Sequence, residues 1–374
     1  MCGMANKLDG ILTTLQNKLE TNFINYFSFL SDTKVFVYGS GIYGRCLAKY
    51  LLTLHCVDRI EAYINDFSNG FDIEGIAVKN INECDFSGRY CVIVAIENKN
   101  AVVQKLKDRN INFHVPSEQL FNNIVYWCNR GIGNLPERIK YYHLNMLPIE
   151  NRLSDFYSDD ESKRVIQSRI DFYNTGDIDY LTKYPIVSTS YFDGNYFKLS
   201  DKETFIDIGA YTGDTVSEFA NYTANHYKKI ISFEPDQRNF EDLKNNTSKY
   251  HDVVIYPYAT GNQNCEVSFA DNAGMGSAVS SNGGSTVKMV RLDDFIDDIP
   301  TLIKMDVEGA ELETLKGSEN ILKKYHPKLI VCIYHKVEDL YTIPNYLKTI
   351  VPEYRLMVRQ QGTGIFETLL YAEV

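Results

Sequence analysis

Apolar side chains set the first pattern. Leu8, Ile11, Leu12, Leu15, Leu19, Phe23, Ile24 and Phe27 recur at three- and four-residue steps, which predicts an amphipathic helix over residues 1–30. Its stripe is expected to pack on the rest of the chain, with a contact to a second copy as the alternative. From Lys34 the period changes. KVFVY, RIEAYIND, YCVIVAIEN and INFHV are short buried runs, separated by helical stretches such as RCLAKYLLTL and AVVQKLKDRN. Strands alternating with helices predict a parallel sheet with right-handed crossovers and a small Rossmann-like domain over residues 31–125.

The pattern then fades. Residues 126–190 are rich in aromatic and charged side chains, and DDESKRVIQSRIDFY opens with acids suited to a helix start. This stretch reads as a helical connector. Buried runs return in TFIDIGA, KKIISFEPD, VVIYPYA, LIKMDVEG and KLIVCIYH, followed by YRLMVRQ and ETLLYAEV facing each other across QGTGIF. Residues 191–374 are therefore a second module. The expected fold class is α/β, with two Rossmann-like modules in series. The second has a parallel sheet closed by a terminal antiparallel hairpin.

Bulk properties narrow the partners. The chain has 374 residues, 44% of them apolar, enough for two domains with real cores. A formal charge of -11 argues against nucleic acid, which needs a basic face, but leaves room for a small nucleotide. None of the eight cysteines forms a CxxC pair, so no zinc knuckle or redox dithiol is signalled, and reduced thiols are expected. No run reaches the length of a membrane span, and the N-terminus has no cleavage signature. A cytoplasmic protein is expected.

Candidate chemistry gathers at strand ends in the second module. In FIDIGAYTGDT, Gly209 and Gly213 permit a tight turn, and the amides of the following helix start can hold a carboxylate or phosphate. Asp207 can bind a cationic amino group. Glu234, ending the next strand, can accept both hydroxyls of a ribose. Asp306 and Glu308 are expected to alternate across the end of the fourth strand, one facing the pocket and one its rim. They can take a proton, orient a hydroxyl or hold a divalent metal. Glu311 and Glu313 read as solvated or helix-start acids. His335 and Lys336 end the fifth strand on the same edge.

In order along the chain, FIDIGAYTGDT, ISFEPD, KMDVEGAELETLKG, IYHKVEDL and ETLLYAEV resemble the FkbM family of S-adenosylmethionine-dependent methyltransferases. The resemblance extends from about Asp159 to Val374 and implies the class I methyltransferase fold. It implies cofactor contacts at Asp207, Gly209, Ala210, Gly213, Asp214, Thr215, Glu234 and Asp306. Asp306, Glu308 and His335 match its fourth-strand acids and later histidine, read here as catalytic. Arg359 and Glu367 match polar positions around the hairpin and, with Lys336, are read as substrate contacts. The implied activity is O-methylation of a hydroxyl, often on a sugar or a polyketide; the acceptor expected here is a sugar, nucleotide-sugar or surface-glycan precursor in polysaccharide biosynthesis. RQQGTG departs from the family at the loop after Arg359. Together with ADNAGMGSAVSSNGGST, it is the expected seat of acceptor specificity.

The upstream GSGIYG has complete GxGxxG spacing in Gly39, Gly41 and Gly44, and Asp66 ends the next strand near the ribose position. A nucleotide or nucleotide-sugar, NAD, or a structural or dimerising role are all open for this module. Two alternatives to methyl transfer follow: an NAD-dependent oxidoreductase or epimerase run from GSGIYG, and a non-catalytic nucleotide-binding scaffold.

Overall fold

The computed structural model describes residues 2–66, 72–96, 99–117, 135–177, 179–182, 190–192, 196, 198–269, 285–361 and 368–374. The chain divides into two units, Met1–His143 with Tyr173–Ile178, and Leu144–Phe172 with Asp179–Val374. The stretch expected as one connector is thus shared out, most of it going to the second unit. Among the described residues, no helix is long and apolar enough to cross a membrane.

The first unit opens with a helix, Cys2–Tyr26. Phe23 and Phe27 from its end, with Leu30, are buried in one core with Val35, Val37, Leu47 and Leu51, so this part of the stripe packs on its own unit. The strands are β1 (Lys34–Tyr38), β2 (Ile60–Asn65), β3 (Asp72–Ile73), β4 (Ile76–Asn80), β5 (Tyr90–Val94) and β6 (Phe113–His114). They form one sheet in the order β3-β4-β2-β1-β5-β6, parallel except for the β3–β4 pair. Both faces are covered. Val35, Val37 and Ile93 enter one core, and Phe36, Tyr38, Val92 and Val94 enter another with Val102 and Leu106 of helix Asn100–Asp108. Burial on both faces is why these strands read as continuous apolar runs.

The second unit contains β7 (Thr204–Ile208), β8 (Lys229–Phe233), β9 (Val253–Tyr256), β10 (Ala259–Thr260), β11 (Cys265–Phe269), β12 (Ser285–Val290), β13 (Leu302–Met305), β14 (Lys328–Cys332), β15 (Arg355–Gln360) and β16 (Thr368–Glu373). Seven of them form a sheet in the order β15-β16-β14-β13-β7-β8-β9, and β10, β12 and β11 form a small second one. β16 is antiparallel to both of its neighbours; β9, β8, β7, β13 and β14 run parallel. β7 lies between β8 and β13, so the strand order reverses beside it. The crevice beyond the carboxyl ends of these strands is where such sheets bind ligands.

Candidate active site at the carboxyl edge of the seven-stranded sheet

β7 is buried along its whole length and runs into the glycine turn. Gly209 has φ 76°, and a Cβ there would lie 1.8 Å from the Asp306 carbonyl oxygen, so no other residue fits. The amides of Gly209 and Ala210 both donate to Phe233 O at 3.0 Å, which ties the turn to β8. Gly213, with φ 87°, begins helix Asp214–Tyr222 without a capping side chain. The amides of its first turn, which contains Asp214 and Thr215, therefore face a ligand or water.

Glu234 is buried beside this turn and accepts the amides of Tyr211 at 2.8 Å and Asp236 at 2.9 Å. Burial raises its carboxyl to about 7, against the pull of those two amides. Asp207 is fully buried and lies opposite Lys304 in the β7–β13 register. The Lys304 ammonium sits 3.2 Å from Asp207 Oδ1 and donates to Gly209 O at 2.9 Å. Burial raises Asp207 to about 6, with Lys304 opposing. Burial works against the Lys304 charge too, but Asp207 and Asp306 outweigh it and raise its pKa. Both groups are therefore charged at neutral pH. Neither Asp207 oxygen has a hydrogen-bond partner of good geometry among the described residues.

Past β13 the expected alternation of Asp306 and Glu308 does not hold. The strand ends at Met305, and Glu308 (φ 54°) and Gly309 (φ 97°) curl the chain through left-handed backbone. Both acids thereby reach one imidazole: His335 Nε2 is 3.4 Å from Asp306 Oδ1 and 3.6 Å from Glu308 Oε2. Glu311 is not solvated, as its helix-start position implied. It is fully buried, lies 2.7 Å from His335 Nδ1, and accepts the Val307 amide at 3.0 Å. Glu313 does fit that expectation, pairing with Lys316 at the surface.

Burial disfavours charge on His335, yet Glu311, Asp306 and Glu308 together raise it to about 9. Burial, with the His335 charge opposing, also raises Glu308. Buried Asp339 is pushed up to about 7 by burial and by Glu311. Lys336 is exposed, and its stem lies where a Cβ on Gly309 would come within 3.1 Å.

Arg359 has an internal partner in place of a substrate. It is buried, with Nη1 at 3.0 Å from Asp159 Oδ1 and 2.9 Å from Ser162 Oγ, so it clamps β15 to helix Asp160–Thr175. Gln360 and Gln361, at the departure from the family pattern, also face inward: Gln360 binds Arg169, and Gln361 donates to Ser190 O at 2.6 Å. Glu367 and most of the ADNAGMGSAVSSNGGST loop lie outside the described residues.

In the first unit, Gly44 meets the expected need for close packing, since a Cβ there would lie 1.8 Å from Gly39 O. Gly39 has φ 108°, and Gly41 caps helix Ile42–Thr53 with open space around it. Asp66 is already paired within its own unit, with a strand and a helix. It accepts the Tyr38 hydroxyl at 2.6 Å and binds Lys105. Burial would raise its pKa, but Lys105 and Tyr38 hold it below the usual carboxylate range.

Comparison with known proteins agrees with the second unit. Residues 207–357 match the family described as the Methyltransferase FkbM domain. A stretch of 102 residues is 32% identical to hexuronic acid methyltransferase AglP of Haloferax volcanii; it covers 25% of this chain and spans 43% of that protein's length. A crystal structure of Methyltransferase FkbM from Methylobacillus flagellatus KT shares the fold, with TM-score 0.59, 20% identity, and coverage of 97% of this chain and 98% of that one.

Proposed function

We propose that the second unit, whose residues 207–357 match the Methyltransferase FkbM domain, is an S-adenosylmethionine-dependent methyltransferase that acts on a hydroxyl of a sugar, nucleotide-sugar or surface-glycan precursor. The observation that carries the reading is the meeting of the glycine turn, buried Glu234 and the Asp306–Glu308–His335 cluster at one strand-order reversal. The relative named for a hexuronic acid supports a sugar acceptor.

The donor set suits S-adenosylmethionine. Glu234 has lone pairs beyond those taken by the Tyr211 and Asp236 amides, as two ribose hydroxyls require. The uncapped helix start at Gly213 suits the carboxylate of the cofactor's amino-acid part; Asp207, fully buried and paired with Lys304, supports the turn through the Lys304 bond to Gly209 O instead of meeting the amino group itself. When bound, the cofactor supplies a methyl group on a sulfonium. The protein's part is to align the acceptor oxygen and receive its proton. Asp306 Oδ1 or Glu308 Oε2 takes that proton, with the His335 ring set between the two carboxylates. Lys336, exposed at the same edge, meets an acidic group on the acceptor.

Calorimetric titration with S-adenosylhomocysteine tests this reading. Saturable binding that is lost in Glu234→Ala is expected. No binding, in folded protein stripped of carried-over cofactor, overturns it; the same cell titrated with NAD and nucleotide-sugars then examines the first unit.

A further inference from the structure

We infer that the cluster at the ends of β13 and β14 is a divalent-cation site, with His335 Nε2, Asp306 and Glu308 as ligands and Glu311 as the group that orients the imidazole. Its purpose, polarising the acceptor oxygen, rests on the methyltransferase reading; the binding itself does not.

Charge is the first argument. Three carboxylates surround one imidazole, with Asp339 buried behind them. No lysine or arginine among the described residues forms an ion pair with Asp306, Glu308 or Glu311. Glu311 and Asp339 are buried and Asp306 and Glu308 half-buried, and Lys304 acts on Asp306 from the side of Asp207; carboxylates still outnumber cations here, and such a surplus calls for a further counter-charge.

Geometry is the second. Ligand atoms of Asp306, Glu311 and His335 lie within 4.8 Å of one another, but Glu311 is held on the far side of the ring. It lies 2.7 Å from Nδ1 and accepts backbone amides of the β13 turn. A carboxylate on Nδ1–H that leaves Nε2 facing the site is the arrangement that orients metal-binding histidines. Asp306 and Glu308 stand 3.4 and 3.6 Å from Nε2, long for hydrogen bonds. Bonds of about 2.1 Å to one ion place neighbouring donors about 3.0 Å apart in an octahedron and about 3.4 Å apart in a tetrahedron. The two separations from Nε2 suit donors that share an ion. Two carboxylates with one imidazole, open toward the crevice, favour a hard cation such as Mg²⁺ or Mn²⁺.

The test is titration of the full chain with Mn²⁺ alone, followed by electron paramagnetic resonance. One saturable site is expected, with nitrogen modulation from a directly bound imidazole. Glu308→Gln, at a partly exposed position, should weaken binding about tenfold or more, and Glu311→Gln should do so by a similar factor. His335→Gln should abolish the nitrogen signal. Absence of saturable binding, or binding unchanged in Glu308→Gln and Asp306→Asn, overturns the site. S-adenosylhomocysteine titrated into the same samples separates the two readings. Its binding without Mn²⁺ binding sinks only the cation; Mn²⁺ binding alone sinks only the cofactor.

Discussion

Replacing Lys304 with methionine removes the counter-charge of a carboxylate that has no access to water. Asp207 is 0% exposed and Lys304 2%, with the ammonium 3.2 Å from Asp207 Oδ1 and 2.9 Å from Gly209 O. Methionine keeps most of the volume, so little of the effect comes from a cavity. Breaking a buried pair from one side costs about 3–5 kcal/mol, a large part of the roughly 5–15 kcal/mol that holds a domain together. The sign with pH follows from Asp207. Its folded pKa, about 6, lies above its ordinary 3.8. Its contribution to stability is therefore full below the ordinary value and is lost as pH rises through the folded one. Without Lys304 the folded value climbs further. The deficit of the variant should thus be small near pH 4, where Asp207 is neutral, and should widen through about pH 6 and beyond. Amide hydrogen exchange in β7, β13 and β14 reads this within the second unit, whether or not the two units unfold together. The double variant Asp207→Asn/Lys304→Met should recover part of the loss. A deficit equal at about pH 5 and about pH 8, or a double variant worse than the single, would refute the reasoning.

Glu234→Gln should weaken S-adenosylhomocysteine binding by about tenfold, since a charged acceptor of two hydroxyls is lost; unchanged calorimetric affinity would remove Glu234 from the cofactor site. Arg359→Gln should destabilise the second unit by about 1–3 kcal/mol in urea melts, because Asp159 and Ser162 lose their partner, while leaving cofactor affinity intact. A change in acceptor KM without a change in stability would return Arg359 to the substrate. Gly44→Ala should destabilise the first unit by about 1–3 kcal/mol or more, since its Cβ meets backbone at 1.8 Å, whereas Gly41→Ala enters open space and should not. Equal melting temperatures for the two variants would contradict the packing described.

Much of the edge was legible because it obeys local rules. The turn at Gly209, the acid at Glu234 and the closing hairpin each announce themselves within a dozen residues. What escaped depends on partners far along the chain. Lys304 did carry a signal: a lysine inside the apolar run LIKM needs a buried counter-charge, and Asp207 one strand away supplies it. Glu311 was misplaced because helix-start position usually means solvent, whereas the left-handed turn at Glu308–Gly309 folds it inward against His335. The pairing of Arg359 with Asp159 joins residues 200 apart, which no local pattern records. β3 and β4 are absent from the strands read in the sequence, although Glu74 and Gly75, both with positive φ, are suited to a two-residue hairpin turn.

The placement of β16 bears on how the protein is made. It is translated after β15, yet it lies between β15 and β14 and pairs with both. On the ribosome, β15 emerges with only a single bridge, from Leu356 to Tyr157, to hold it, and the edge of β14 stays open until residues 368–373 have left the exit tunnel. An open edge on a nearly complete sheet is the form most prone to pair with another nascent chain. Protection of the sheet from such pairing therefore waits on its last strand.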